Sequence, residues 1–435
     1  MNPPNVGTED GSRSTPASEW TLIVGASLAG VAVADELRTA GYDGEITLIG
    51  DEDEMPYDRP PLSKQWLLAP TSDPVAPQPL KQPDWYRDNG VKLVLGAQAL
   101  GLDSYEGSLK VHLSGGRSLS PTRVVIACGA RPRDLTAASA ATRRVCGDAP
   151  APPLNYLRTL DDARRLRSEL LYRKGRLVVV GAGFIGLEAA TAAHKLGWEV
   201  EVLERSDSPL SRVLPPDIAS ACLQAQPRDG VEIRCGVGVA SHHASDGRHV
   251  LVLESGEEVT GDVVVVGIGT IPNTDWLQAS GVALDNGVVC DNQGRTTVEN
   301  VWAAGDVARW TDGDGVLQSR NEQWQSAREQ ARTVARSITG HNPTWNAIPY
   351  FWSEIFGVRI QMCGSAAPSM NTIAVRDGVK QLLMLIDEDQ HLAAAVALNS
   401  PRWMGIAKNW LANGLTVVEC QSYAAQLSPQ ATVAS

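Results

Sequence analysis

The chain has 435 residues, 43% of them hydrophobic and 20% charged, an ordinary globular composition that excludes a wholly disordered chain. Its 40 glycines show no Gly-X-Y period, which excludes a collagen-like fibre. With 38 Lys and Arg against 50 Asp and Glu the net charge is −12, so no general affinity for nucleic acid or anionic membrane is expected.

Length suggests about three domains. Residues 1–18 are rich in Pro, Ser, Thr and Gly without an apolar stretch, and read as a disordered tail, not a signal peptide. From Trp20 an apolar run leads to Gly25, a helical pattern follows through Leu28, Val31, Ala32 and Leu37, Gly41 stops it, and residues 45–49 form the next strand. Residues 91–126 read as short strands. The strand–turn–helix–strand grammar returns at 177–203, with glycines at 181, 183 and 186 and a stop at Gly197. Residues 250–254 and 263–266 read as strands, 381–386 and 392–398 as an antiparallel pair, and 404–413 as a helix. The expected fold is α/β: two Rossmann-like lobes, the first split over 19–132 and 263–340, the second over 133–262, and a C-terminal α+β domain over 341–435.

The turn Gly25-Ala26-Ser27-Leu28-Ala29-Gly30 suits a pyrophosphate at a helix N-terminus, although Ser27 stands where a second glycine is usual. Asp51 and Glu52 follow the next strand, where an acid receives a ribose hydroxyl. Gly181-Ala182-Gly183-Phe184-Ile185-Gly186 is a full G-x-G-x-x-G, and Glu204 closes the strand after it. Glu204 favours NADH by repelling a 2′-phosphate, while the adjacent Arg205 softens that preference and leaves NADPH as the weaker donor. Two such sites suggest FAD plus a nicotinamide cofactor, since a flavin turns a hydride into single electrons. Gly305-Asp306, after an apolar run, suits the flavin ribityl chain, and Gly267-Ile268-Gly269 suits the nicotinamide end.

Several strings in order carry a family resemblance: residues 23–30; Pro56-Tyr57-Asp58-Arg59-Pro60-Pro61-Leu62-Ser63-Lys64; Ile126-Ala127-Cys128-Gly129-Ala130-Arg131-Pro132; Gly181 to Glu188; Gly267 to Gly269 with Pro272-Asn273; Ala303 to Val307; and Pro349-Tyr350-Phe351-Trp352-Ser353. From Trp20 to about Trp410 the chain resembles the FAD-dependent NADH:ferredoxin reductases of bacterial ring-hydroxylating dioxygenase and haem-thiolate monooxygenase systems, within the glutathione-reductase fold class. The resemblance implies Asp51, Glu52 and Arg59 near the FAD adenosine, Ala127, Gly129 and Arg131 along the cofactor, and Lys64 by the flavin ring. It implies Glu188 paired with Lys64, Phe184 gating the nicotinamide pocket, and Trp324 packing near the flavin. Lys64, Glu188 and Trp324 are thus the candidate catalytic residues. The disulfide reductases of this fold class carry redox cysteines where Pro60 to Lys64 stand, so the expected acceptor is a one-electron protein, a 2Fe–2S ferredoxin that feeds an oxygenase. A rubredoxin reductase, or a redox-sensing flavoprotein like the apoptosis-inducing factors, is the alternative.

Cys128 replaces the family's usual Thr and reads as a small buried residue; Gln323 replaces a frequent His. The seven cysteines are scattered without Cys-x-x-Cys, which suits a reducing cytoplasm. No metal spacing and no membrane span are present, and a monomer or weak homodimer is expected. Arg328, Arg332 and Arg336 recur at i, i+4 and i+8 on a predicted helix that buries Trp324, Ala327, Ala331 and Ala335, offering a stripe to an acidic ferredoxin.

Overall fold

Five parallel strands form the sheet of the first lobe, in the order Val301–Ala303, Arg123–Ile126, Trp20–Val24, Glu45–Ile49, Val91–Val94. A computed structural model describes residues 19–69, 77–135, 153–224, 230–345, 348–367, 370–377, 380–427 and 432–434; the expected tail and Cys146 lie outside them. Leu22 and Ile23 are fully buried, as a parallel sheet covered on both faces requires. The edge strand Val301–Ala303 arrives from far along the sequence, so this sheet draws on two distant stretches of the chain. Helix Leu28–Thr39 ends with Gly41 at φ +81°, where the Tyr42 N–H reaches back to the Leu37 carbonyl at 2.9 Å. That helix packs against Trp324–Ile338, which carries Ala327, Ala331 and Ala335 inward.

The second sheet runs Val231–Arg234, Glu199–Leu203, Arg176–Val180, Val263–Val266. One expectation is corrected here. Val263–Val266 does not open the second piece of the first lobe; it pairs in parallel with Arg176–Val180, Val266 opposite Val180. Four consecutive valines fit the interior of either sheet equally well, and only the partner strand decides. The crossing between lobes lies just beyond, where Thr270–Pro272 pairs antiparallel with Ala130–Pro132.

The C-terminal domain has a six-stranded antiparallel sheet, ordered Tyr350–Ile355, Val358–Gly364, Leu392–Leu398, Lys380–Ile386, Asn371–Asp377, Thr432–Ala434, with helices Pro401–Ala412 and Val417–Leu427. The fold is therefore α/β with two Rossmann-like lobes and a C-terminal α+β domain. The edge strand Tyr350–Ile355 lies on the second lobe's glycine helix, Phe184–Lys195. Among the described residues no helix is long and apolar enough to cross a membrane, and no group of three His, Cys, Asp or Glu side chains is placed to hold a metal ion.

Within the second lobe, His249 is 2% exposed and its Nδ1 lies 2.9 Å from His242 Nε2. Burial, then the neighbouring His242 and Arg173, push His249 down to about 4. Below the ordinary histidine value the unfolded chain takes up a proton that the fold refuses until about pH 4. Stability is therefore full above about pH 6.5 and falls as pH drops toward 4, by an amount on the order of 2–3 kcal/mol. Urea midpoints at pH 7 and pH 5 check this: His249→Gln should flatten the difference, and an equal difference in the variant would refute the assignment.

Candidate functional site

Both glycine turns open on one cleft of 2070 Å³ between the three domains. At the first turn Gly25 has φ +125°, and a side-chain carbon there would sit 2.2 Å from the Ala127 carbonyl oxygen. Gly181 repeats this at φ +102°, 2.5 Å from the Gly267 oxygen. The second glycine of each motif is different. A carbon on Gly183 meets nothing nearer than 3.8 Å, so the protein itself does not demand glycine there; the demand comes from whatever approaches the turn. Ser27, at the equivalent place, has extended backbone, and its hydroxyl accepts from Arg59 Nε at 3.1 Å. Each turn begins a 12-residue helix with no acid in its first turn and no side-chain cap, so the N-terminal N–H groups and the helix dipole face the cleft as an anion site.

At the first lobe's end of the cleft, Arg59 pairs with Glu52 at 2.5 Å, and Tyr57 donates to the other Glu52 oxygen at 2.6 Å. Burial raises the Tyr57 phenol, which stays protonated, and its oxygen also receives the Leu160 N–H at 2.8 Å. Asp51 and Glu52 both line the cleft, as do Leu28, Ala29, Ala127, Gly129, Arg131, Gly305 and Asp306. Arg131 is held by Asp275 at 2.8 Å. Asp306 is met by Arg158 at 2.9 Å, a cation brought from just ahead of helix Leu160–Tyr172. In the second lobe Glu204 accepts the Ala182 N–H at 2.7 Å and the Ser206 N–H at 2.8 Å, which fixes its carboxylate beside the turn.

At the seam of the three domains Lys64 Nζ lies 2.9 Å from Glu188, with side chains only 13% and 5% exposed. The pairing implied by the resemblance is thus present. Lys64 also donates to the Pro60 carbonyl at 3.2 Å and stands 5.3 Å over the Trp352 ring. Phe184 lines the cleft and meets Phe351 edge to face at 4.7 Å. Ile185 is 40% exposed into the same space.

Several expected residues sit elsewhere. Gly30, Gly181 and Gly186 do not line the cleft; they let backbone cross backbone beneath it, a carbon on Gly30 falling 2.0 Å from the Gly25 oxygen. Gly267 and Gly269 line it, whereas Ile268 packs into the second lobe's core. Arg205 stands outside the cleft, two residues past the end of strand Glu199–Leu203, 81% exposed and paired with Glu254 at 3.3 Å. Trp324 is not on the buried side of its helix: it is 41% exposed at the cleft, donates from Nε1 to Asp58 at 2.9 Å, and carries Arg328 against its face at 5.2 Å. As the first residue of the helix it reaches past the packed stripe.

Neither Ser63 nor Ser353 is marked by the sequence as a site residue, although both lie in the strings that carry the resemblance. The same holds for Tyr57 and Phe351, and Arg158 lies outside those strings. Nothing in spacing marks Arg158, since its partner Asp306 is 148 residues away.

The residues present fit two dinucleotides. At the start of helix Trp324–Ile338, Gln323 Oε1 is buried without a partner among the described residues and its residue lines the cleft, so an acceptor is free to meet a donor there. Cys128 lines the cleft too, but burial pushes its thiol up to about 12, and among the described residues every cysteine is free.

Comparison with known proteins agrees. The sequence matches the pyridine nucleotide-disulphide oxidoreductase family over residues 20–331 and the reductase C-terminal family over residues 350–427. It is 34% identical over 391 residues to the ferredoxin–NAD(+) reductase component of the p-cumate 2,3-dioxygenase system of Pseudomonas putida, covering 90% of this chain and 92% of that one. It is 33% identical over 387 residues to the rubredoxin–NAD(+) reductase of Pseudomonas putida, covering 88% and 97%. The crystal structure of the covalent putidaredoxin reductase–putidaredoxin complex superposes with a TM-score of 0.82 at 33% identity, covering 92% of this chain and 94% of that one.

Proposed function

The chain belongs to the pyridine nucleotide-disulphide oxidoreductase family, and from that premise we propose that it carries electrons from NADH through FAD to a 2Fe–2S ferredoxin that serves an oxygenase. The observation that carries this reading is the buried Lys64–Glu188 pair at the seam of the three domains, in the cleft that both glycine turns line; among the described residues the one cysteine lining it, Cys128, has a protonated thiol. That site has charge for hydride transfer and, among the described residues, no dithiol, which supports the one-electron protein acceptor that the family resemblance implies. The names of the relatives support it.

FAD supplies the switch from paired to single electrons, which no side chain performs. The chain's own groups hold and orient. The first helix N-terminus, with Ser27 and Arg59, takes the FAD pyrophosphate; Glu52 and Asp51 take its adenosine end; Asp306 and Arg158 take the ribityl side; Gln323 supplies an acceptor toward the ring. The second helix N-terminus and Glu204 take NADH, and Phe184 on Phe351 bounds the nicotinamide pocket. Lys64 places positive charge where negative charge develops, and Glu188 fixes that ammonium. Orientation does most of the remaining work. Glu204 favours NADH, with NADPH the weaker donor.

The test is an anaerobic absorbance titration of the purified protein. A bound-flavin spectrum that NADH bleaches, with a broad long-wavelength band, is the expected result; a colourless protein that cannot be reconstituted with FAD would refute the reading.

For the partner, Arg328, Arg332 and Arg336 are all exposed on helix Trp324–Ile338. Arg332 is partly neutralised by Glu36 at 3.1 Å, and Arg328 stacks on Trp324. Arg332→Glu with Arg336→Glu therefore probes docking without disturbing Trp324. Ferredoxin reduction at low salt should slow about tenfold or more while a small dye is reduced as before; unchanged ferredoxin kinetics would remove the stripe from the docking surface. The likeness to a rubredoxin reductase favours rubredoxin as the second acceptor to assay. We place the chain in the cytoplasm, which the free thiols support.

A further inference from the structure

One carboxylate ties all three domains together. Glu188 Oε1 lies 2.9 Å from Lys64 Nζ and accepts from Ser353 Oγ at 2.5 Å, while its Oε2 accepts from Ser63 Oγ. Ser63 and Lys64 come from the first lobe, Glu188 from the second and Ser353 from the C-terminal domain. The two serines are 8% and 1% exposed. A carboxylate this buried is not satisfied by one ion pair. The two hydroxyls complete its coordination, and each has a single proton to give.

The placement of Ser353 follows from matching periods. Phe184 and Glu188 are four apart on a helix, a rise of about 6 Å. Phe351 and Ser353 are two apart on a strand, a rise of about 6.6 Å on one face. The strand Tyr350–Ile355 thus meets the helix twice in register: Phe351 on Phe184 at 4.7 Å, Ser353 on Glu188. A third bond, from the Phe356 N–H to Thr191 Oγ1 at 3.1 Å, continues the same line. The contact that bounds the nicotinamide pocket and the contact that holds Glu188 are made by one strand.

We propose that Ser353 and Ser63 are positioning residues for the Lys64–Glu188 pair, so that the C-terminal domain completes the hydride-transfer site and is not only a platform for the acceptor. The proposal rests on the reading that NADH and FAD meet beside this pair. With Ser353 intact, Oε1 is held between a hydroxyl and the ammonium, and the ammonium stays at the seam. Without it the carboxylate turns about its own side-chain axis and Lys64 follows.

The experiment is anaerobic stopped-flow reduction of the FAD-loaded full chain by NADH, for wild type, Ser353→Ala, Ser63→Ala and Ser353→Thr. In each alanine variant the limiting rate of bleaching should fall about tenfold or more, as loss of one hydrogen bond to a buried charge implies. The NADH dissociation constant should change less than about twofold, since uniform binding is untouched. The long-wavelength band should weaken with the rate, and Ser353→Thr, which keeps the hydroxyl, should restore both. Should Ser353→Ala unfold the C-terminal domain, Ser63→Ala, on the first lobe, carries the same test. Wild-type rates and band in both alanine variants, or a threonine variant no better than alanine, would overturn the proposal alone. A wild type that NADH does not bleach would sink the underlying reading and this proposal with it.

Discussion

Gly25→Val should give a protein that purifies without flavin, while Gly181→Val should stay yellow and resist bleaching by NADH. Both glycines have positive φ, at +125° and +102°, which valine adopts only under strain. Both would place carbon against backbone, 2.2 Å from the Ala127 oxygen and 2.5 Å from the Gly267 oxygen, at strand ends whose next N–H is tied to the neighbouring strand, Ala127 to Val24 and Gly267 to Val180, so the backbone there yields little. Each substitution therefore displaces one turn and one helix N-terminus, but in different lobes with separate cores. We expect flavin content below about a tenth of wild type in the first variant. In the second we expect near-normal flavin content with NADH reduction slowed at least about a hundredfold. Flavin absorbance after gel filtration and stopped-flow reduction report the two. If the Gly181 variant lost flavin and the Gly25 variant kept it, the two lobes would have been assigned in the wrong order.

Glu188→Ala has the second large expected effect. It strands the Lys64 ammonium, 13% exposed, with the Pro60 carbonyl and the Trp352 face as its remaining partners among the described residues. Breaking a buried pair by removing one partner costs about 3–5 kcal/mol, and the remaining contacts of Lys64 argue for the low end. The hydride-transfer rate should drop about a hundredfold, the scale for loss of one charge-stabilising group. Lys64→Ala should weaken the long-wavelength complex with NADH and slow bleaching by a similar factor. Because the two act as a unit, the double variant should be barely slower than either single one. Fully multiplicative losses would mean that the two side chains contribute independently, and the pair would lose its role.

The parts of this protein that were legible in its sequence are those that short stretches encode. A strand, a glycine turn and a helix span some twenty residues, and apolar periodicity with a glycine at each end marks them. That is why both turns, both lobes and the class of cofactor can be read from Gly25 to Asp51 and from Gly181 to Glu204. The resemblance extended this to Lys64 and Glu188. Sheet membership was not legible: Val263–Val266 is a uniform apolar run, and only its pairing with Arg176–Val180 puts it in the second lobe. Side-chain direction at element ends was not legible either. Trp324 begins its helix and reaches into the cleft, and Arg205 leaves it for Glu254.

The clamp on Glu188 shows the division most clearly. Local sequence places an acid one turn into the second glycine helix and puts a serine and a lysine after Leu62. It takes the packing of the domains to bring Ser63, 125 residues away, and Ser353, 165 residues away, to the same carboxylate. Hydrogen bonds act over about 3 Å in space and leave no period in the chain, so a site built from three domains becomes visible only when packing brings its pieces together.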